Sequence, residues 1–186
     1  MKVNNTAIEI HKASGDNKSE LEDYQGAILE YNKVLDLDPS IRDVYLNRGL
    51  AKFAIGEKLE TVKDFSRAID LDPLKPDGYN YRIIANRLLH DYKWVVFDYS
   101  QLIEINPEDA ESHKERGEIK LDWGDYQSAI GDLTTAIKLN CDYAEAYKLR
   151  ADAKIQVNNM ISAVDDLYIA AYPIPPSFIC STPMMR

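Results

Sequence analysis

A proline-closed tripeptide returns at a fixed step. LDP ends at Pro39, LDP again at Pro73 and INP at Pro107, each 34 residues after the last. The next step falls on Cys141 in LNC, and the one after on Pro175 in IPP. A longer phrase returns with it: DYQGAILEYNKVLDLDP from Asp23 and DYQSAIGDLTTAIKLNC from Asp125 lie 102 residues apart, three such steps. A chain that repeats in unbroken phase at this period stacks supersecondary units instead of enclosing one core. Five units follow without insertion: 8–41, 42–75, 76–109, 110–143 and 144–177. Residues 1–7 precede them as a leader, and 178–186 follow as a tail.

Within one unit the hydrophobic spacing is helical. In the second, Tyr45, Leu46, Leu50, Phe53 and Ala54 form one apolar stripe, and Leu59, Val62, Phe65, Ala68, Ile69 and Leu71 form another. Gly56 separates the stripes, and Pro73 ends the second because proline cannot continue the helical hydrogen-bond ladder. The unit reads as helix–turn–helix. Helices of about a dozen residues are marginal alone in water, so their stability comes from stacking on neighbours.

The bulk properties exclude several classes. With a net charge of −9 and no basic stripe, the chain lacks the cations that neutralise nucleic-acid phosphates. No apolar run reaches the roughly 18 residues of a membrane span, and MKVNNTAIEIHKASGDNK has no secretory core. Cys141 and Cys180 form no motif and read as reduced thiols of a cytoplasmic protein.

No catalytic or metal constellation is written in the chain, and no cofactor is expected. His11, His90 and His113 fall in three different repeats without a metal-ligand spacing. Asp165 and Asp166 are neighbours, which on a helix do not share a face. GEKLE and GDYQS read as turn glycines, since a phosphate loop needs GxxxxGK[ST] after a strand. Tyr31, Tyr99 and Tyr126 sit at packing positions, and Trp123 ends a first helix.

Aligned by position, the eighth residues are Gly15, Gly49, Ile83, Gly117 and Ala151, and the twentieth are Ala27, Thr61, Val95, Ala129 and Ala163. The twenty-fourth are Tyr31, Phe65, Tyr99, Leu133 and Leu167; the twenty-seventh are Val34, Ala68, Leu102, Ala136 and Ala170. Small residues at eight and twenty admit close helix approach, and a large one at twenty-four fills the gap between units. Over about residues 8–177 this resembles the tetratricopeptide repeat, whose pattern is W-x₂-L-G-x₂-Y…A-x₃-F…P. The resemblance implies an all-α solenoid, five helix pairs stacked into a right-handed superhelix. His11 and Ser14 depart from the pattern, as suits a terminal helix with one face in water. Ile83, Val95 and Leu102 depart from it in the third unit, where looser stacking is expected. The tail SFICSTPMMR begins no sixth repeat and lacks a polar capping helix.

The resemblance also implies a concave groove lined by the first helices. Its positions are Asp43, Leu46, Asn47, Leu50, Phe53 and Ala54 in the second unit, and Asp77, Asn80, Tyr81, Ile84, Arg87 and Leu88 in the third. They are Glu111, Lys114, Glu118, Leu121 and Asp122 in the fourth, and Glu145, Lys148, Asp152, Ile155 and Gln156 in the fifth. The N-terminal half reads apolar and the C-terminal half acidic. The carboxylate clamp that some family members use for acidic peptide tails is not met: Lys12, Asp16, Asn47, Asp77 and Tyr81 match it at two of five places. The expected function is a non-catalytic adaptor or scaffold that holds a protein or peptide segment with apolar and basic residues. Self-assembly through uncapped terminal repeats is the alternative.

Overall fold

The computed structural model describes residues 2–172, with side chains from Asn5 onward. Among these residues there are ten α-helices and no strand. They are α1 (Lys2–Glu20), α2 (Tyr24–Leu37), α3 (Arg42–Ala54), α4 (Lys58–Leu71), α5 (Pro76–Leu88), α6 (Tyr92–Ile105), α7 (Ala110–Asp122), α8 (Tyr126–Leu139), α9 (Ala144–Gln156) and α10 (Met160–Ala171). From α4 to α10 every helix begins 34 residues after its counterpart in the preceding repeat. The first helix is the exception: α1 starts at Lys2 and takes in residues that the repeat register sets aside as a leader. The end of the fifth unit and the tail 178–186 lie outside the described residues.

Each helix pair turns on one left-handed residue. Glu22, Gly56, His90, Gly124 and Asn158 hold φ of 61°, 84°, 57°, 80° and 60° at equivalent positions. Gly56 and Gly124 take this conformation freely, while Glu22 and His90 hold it against a Cβ clash. The second helix of each pair begins two residues later. Asp23 and Asp125 accept hydrogen bonds from the backbone N–H of Gly26 (3.0 Å) and Ser128 (3.3 Å), satisfying donors that the helix start leaves open.

The chain divides into two compact units within α6, between Asp98 and Tyr99. In the first, Ala27, Ile28, Tyr31, Val34 and Leu35 of α2 pack on Val44 and Ala51 of α3. A further cluster joins Leu46, Phe65, Ala68 and Ala85. In the second, Ala129, Leu133, Ala136 and Ile137 of α8 meet Ala146, Tyr147 and Ala153 of α9. The small–large pairing expected at positions eight and twenty-four is direct. A Cβ on Gly15 would lie 2.7 Å from Tyr31, one on Gly49 2.6 Å from Phe65, and one on Gly117 2.9 Å from Leu133. Filling each gap with a large side chain contributes roughly 1.5–3 kcal/mol of burial. In the third repeat Ile83, Val95 and Leu102 are all buried. Cys141 is not a free thiol, contrary to the reduced-thiol reading; Cys180 lies outside the described residues.

Candidate functional site

The strongest polar feature is a ladder absent from the sequence expectations. Arg48, Arg82, Arg116 and Arg150 occupy the seventh position of repeats two to five, and Asp64, Asp98, Asp132 and Asp166 the twenty-third. Each arginine grips the aspartate sixteen residues on with both Nε and Nη2, at 2.9 and 2.6 Å, 3.0 and 2.6 Å, 2.9 and 2.7 Å, and 2.9 and 2.6 Å in turn. Its Nη1 then reaches back to position twenty-five of the preceding repeat: Asn32 (2.7 Å), Ser66 (2.9 Å), Ser100 (3.0 Å) and Thr134 (3.1 Å). A tyrosine three residues upstream lies under the guanidinium in three of these repeats: Tyr45, Tyr79 and Tyr147, at 5.4, 5.9 and 5.4 Å. Planar bidentate pairing with one donor left over is a property of arginine that lysine cannot supply. The ladder is a structural joint: its carboxylates are buried and face neighbouring helices.

A lysine at position eleven completes three rungs. Lys52, Lys120 and Lys154 lie 2.9, 2.8 and 2.7 Å from Asp64, Asp132 and Asp166. In the third repeat that position is Asn86, whose buried Nδ2 has no hydrogen-bond partner. The electrostatic outcome differs accordingly. Burial pushes Asp98 above its ordinary 3.8, against the pull of Arg82. For Asp132, burial also pushes up, but Arg116 and Lys120 outweigh it and hold the carboxyl below 3.8. Asp132 therefore contributes stability above pH 3.8 and loses it as pH falls through its folded value. Asp98 has the opposite sign: its contribution is complete below pH 3.8 and lost as pH rises through its folded value. Asn86→Lys should lower the Asp98 pKa and add about 1 kcal/mol at neutral pH, because a charge-assisted hydrogen bond replaces an orphan amide. Carboxyl-carbon NMR titration with urea melts measures both; an unmoved Asp98 would refute the account.

The expected groove residues separate on inspection. In the N-terminal unit, Leu50, Ile84 and Leu88 are exposed, at 37%, 50% and 47%. Asn80 is exposed, while Asn47, Phe53, Tyr81 and Arg87 are half-buried. Leu46 is 6% exposed and belongs to the core with Phe65, so it is not presented as an anchor. Tyr81 stacks on Phe65 with ring centroids 5.5 Å apart. Asp43 is exposed beside Arg42, which pairs with Asp77. In the C-terminal unit, Glu111, Asp122, Glu145, Lys148 and Asp152 are exposed and Glu118 is half-buried. Lys114 is only 4% exposed and pairs with Glu111, Glu115 and Glu145. Burial works to lower its pKa, but Glu115 and Glu111 outweigh burial and raise it. The acidic half therefore carries part of its own neutralisation.

One cleft adjoins the apolar residues of the N-terminal unit. It has a volume of about 320 Å³ and is lined by Asp16, Ser19, Glu20, Tyr31, Asn47 and Leu50. Of these, Asp16 accepts from Lys12 (2.9 Å), Tyr31 (2.8 Å) and Asn47 (2.9 Å). Burial raises its pKa, but those three hydrogen bonds together bring it below 3.8. Lys12 and Asn47, the two matches to the carboxylate clamp, are thus both engaged by a carboxylate of the chain itself.

The other candidate residues are dispersed. His11 contacts Glu30 (2.7 Å), His90 makes a turn, and His113 contacts the Pro107 carbonyl (3.2 Å). Asp166 is a ladder residue, whereas Asp165 is exposed. Among the described residues no helix is long and apolar enough to cross a membrane.

Comparison with known proteins agrees with this architecture. A TPR repeat model matches residues 15–56. A crystal structure of MamA protein superposes with a TM-score of 0.75 at 20% identity, covering 97% of this chain and 98% of that one. MamA 41-end from Desulfovibrio magneticus RS-1 gives 0.69 at 11% identity, covering 89% and 93%. YrrB, described as a TPR protein with an unusual peptide-binding site, gives 0.71 at 18% identity, covering 91% and 88%. No curated protein sequence matches the chain. With helix pairs recurring every 34 residues, the chain shares the fold of MamA and of the TPR protein YrrB, and its residues 15–56 match a TPR repeat.

Proposed function

We propose that the chain is a non-catalytic protein-interaction module that holds a partner segment on the first-helix face of its N-terminal unit. The observation that supports this is the set of exposed aliphatic residues Leu50, Ile84 and Leu88, with Leu50 forming one wall of the Asp16–Glu20 cleft. First helices that served only as scaffold would present polar residues there. The chemistry fits a segment with apolar side chains and a lysine or arginine. The apolar part is buried on the aliphatic residues, and the cation enters the acidic cleft. The peptide-binding site attributed to YrrB, which shares the fold, is consistent with such a use.

The exposed acids Asp122, Glu145 and Asp152, with half-buried Glu118, would act at longer range, raising association rates more than affinity. A peptide-library binding screen at two salt concentrations tests the reading. Leu50→Ser with Leu88→Ser should weaken binding about tenfold or more at both, since each anchor contributes about 1–2 kcal/mol. Glu20→Lys should act chiefly at low salt, where screening is weak. Selection of acidic peptides, or indifference to both variants, would assign binding to another surface.

A further inference from the structure

Donors from three helices converge on Asp16. The Lys12 ammonium of α1 meets Oδ2 at 2.9 Å, while the Tyr31 hydroxyl of α2 (2.8 Å) and the Asn47 amide of α3 (2.9 Å) both meet Oδ1. Tyr31 is 1% exposed, and burial, with Asp16 second, holds its pKa above the usual 10, so its hydroxyl keeps the proton it donates. An ammonium, an amide N–H and a phenol O–H gathered at one point form a receptor for a carboxylate. Here the carboxylate is the chain's own. The fold does not require it, because the second repeat has no such group. The same three register positions there are Leu50, Phe65 and Tyr81, an aliphatic side chain and two stacked rings.

We propose that Asp16 is the specificity-determining residue of the cleft, a built-in occupant that closes a carboxylate receptor to acidic partners and leaves the cleft to cations. The inference rests on the cleft as the partner's cation site, and adds which residue sets the sign. Oδ1 has both acceptor places filled, whereas Oδ2 has one donor and one place open. The Asp16 side chain is 34% exposed, and Glu20 stands one helical turn further along α1 in the same lining. Lys12 offsets only one of these two carboxylates. An incoming ammonium therefore displaces nothing and gains a second acid. A partner carboxylate would have to expel a tethered one, which competes at an effective concentration of about millimolar or more, and would then meet Glu20.

The test uses acetate as the smallest carboxylate, with chloride at matched ionic strength as the reference, and follows the Asn47 side-chain amide by NMR. In Asp16→Ala those signals should shift to saturation with a midpoint on the order of 1–10 mM, within what four non-hydrogen atoms can supply. The wild type should not respond. Adding Lys12→Met to Asp16→Ala should weaken acetate at least tenfold, because the charged donor is gone. Should Asp16→Ala alone lose its helical circular dichroism, acetate and not chloride should restore it. An acetate response in the wild type, or neither shift nor restoration in Asp16→Ala, would overturn the proposal. In the peptide screen above, Asp16→Ala should favour glutamate over lysine, the reverse of the wild type, and an unchanged preference would count equally against it. Acetate binding involves no partner: if no peptide binds the wild type, the partner reading fails while the acetate result still decides the role of Asp16.

Discussion

Arg82→Met should be among the most damaging substitutions in the molecule, costing about 3–5 kcal/mol in urea melts, the range for stripping one partner from a buried ion pair. Methionine keeps the length of the stem but leaves Asp98, 0% exposed, without its bidentate cation. The third repeat has no lysine at position eleven to take over. Arg116→Met should cost roughly half as much, because Lys120 remains 2.8 Å from Asp132. The double variant Arg82→Met, Asp98→Leu should recover much of the loss, since removing both charges removes the desolvation cost with them. Equal losses for Arg82→Met and Arg116→Met would show that the lysines contribute nothing and that the rungs are equivalent.

Gly117→Leu should cost about 1–3 kcal/mol by overpacking. Its Cβ alone would lie 2.9 Å from Leu133 and 3.3 Å from both the Ala129 carbonyl and the Asp132 Cβ, and the carbonyl cannot give way. Gly131→Leu, on α8, meets nothing within 4 Å and removes a helix-interior glycine, so it should be neutral or stabilising. Asp122→Asn, on an exposed position, should stay within about 0.5 kcal/mol. Denaturant midpoints of the three variants separate these outcomes.

The helix pairs were legible because their signals are local and repeated. Proline stops, turn glycines and small–large alternation recur in phase, and each occurrence supports the others. The ladder was just as periodic, with arginine and aspartate sixteen residues apart in four units. Yet an isolated arginine on a helix reads as a solvated side chain. Only the packing of the two helices shows that the pair is enclosed. The groove positions were less legible for a related reason. Whether Leu46 or Leu50 faces outward depends on a rotation that periodicity does not fix within one residue. Lys114 likewise reads as a surface cation until three carboxylates are found around it. The leader residues before Ile8 have no counterpart in any repeat, so no internal comparison could assign them to α1.

Because every rung joins position seven of one repeat to position twenty-five of the one before, the connector is the same at each step. Excising residues 110–143 would bring Arg150 to the acceptor that Arg116 now uses, Ser100, with its own Asp166 and Lys154 intact. A whole 34-residue module could then be removed or added without rewriting a joint, so the length of such an array is free to change in steps of one repeat.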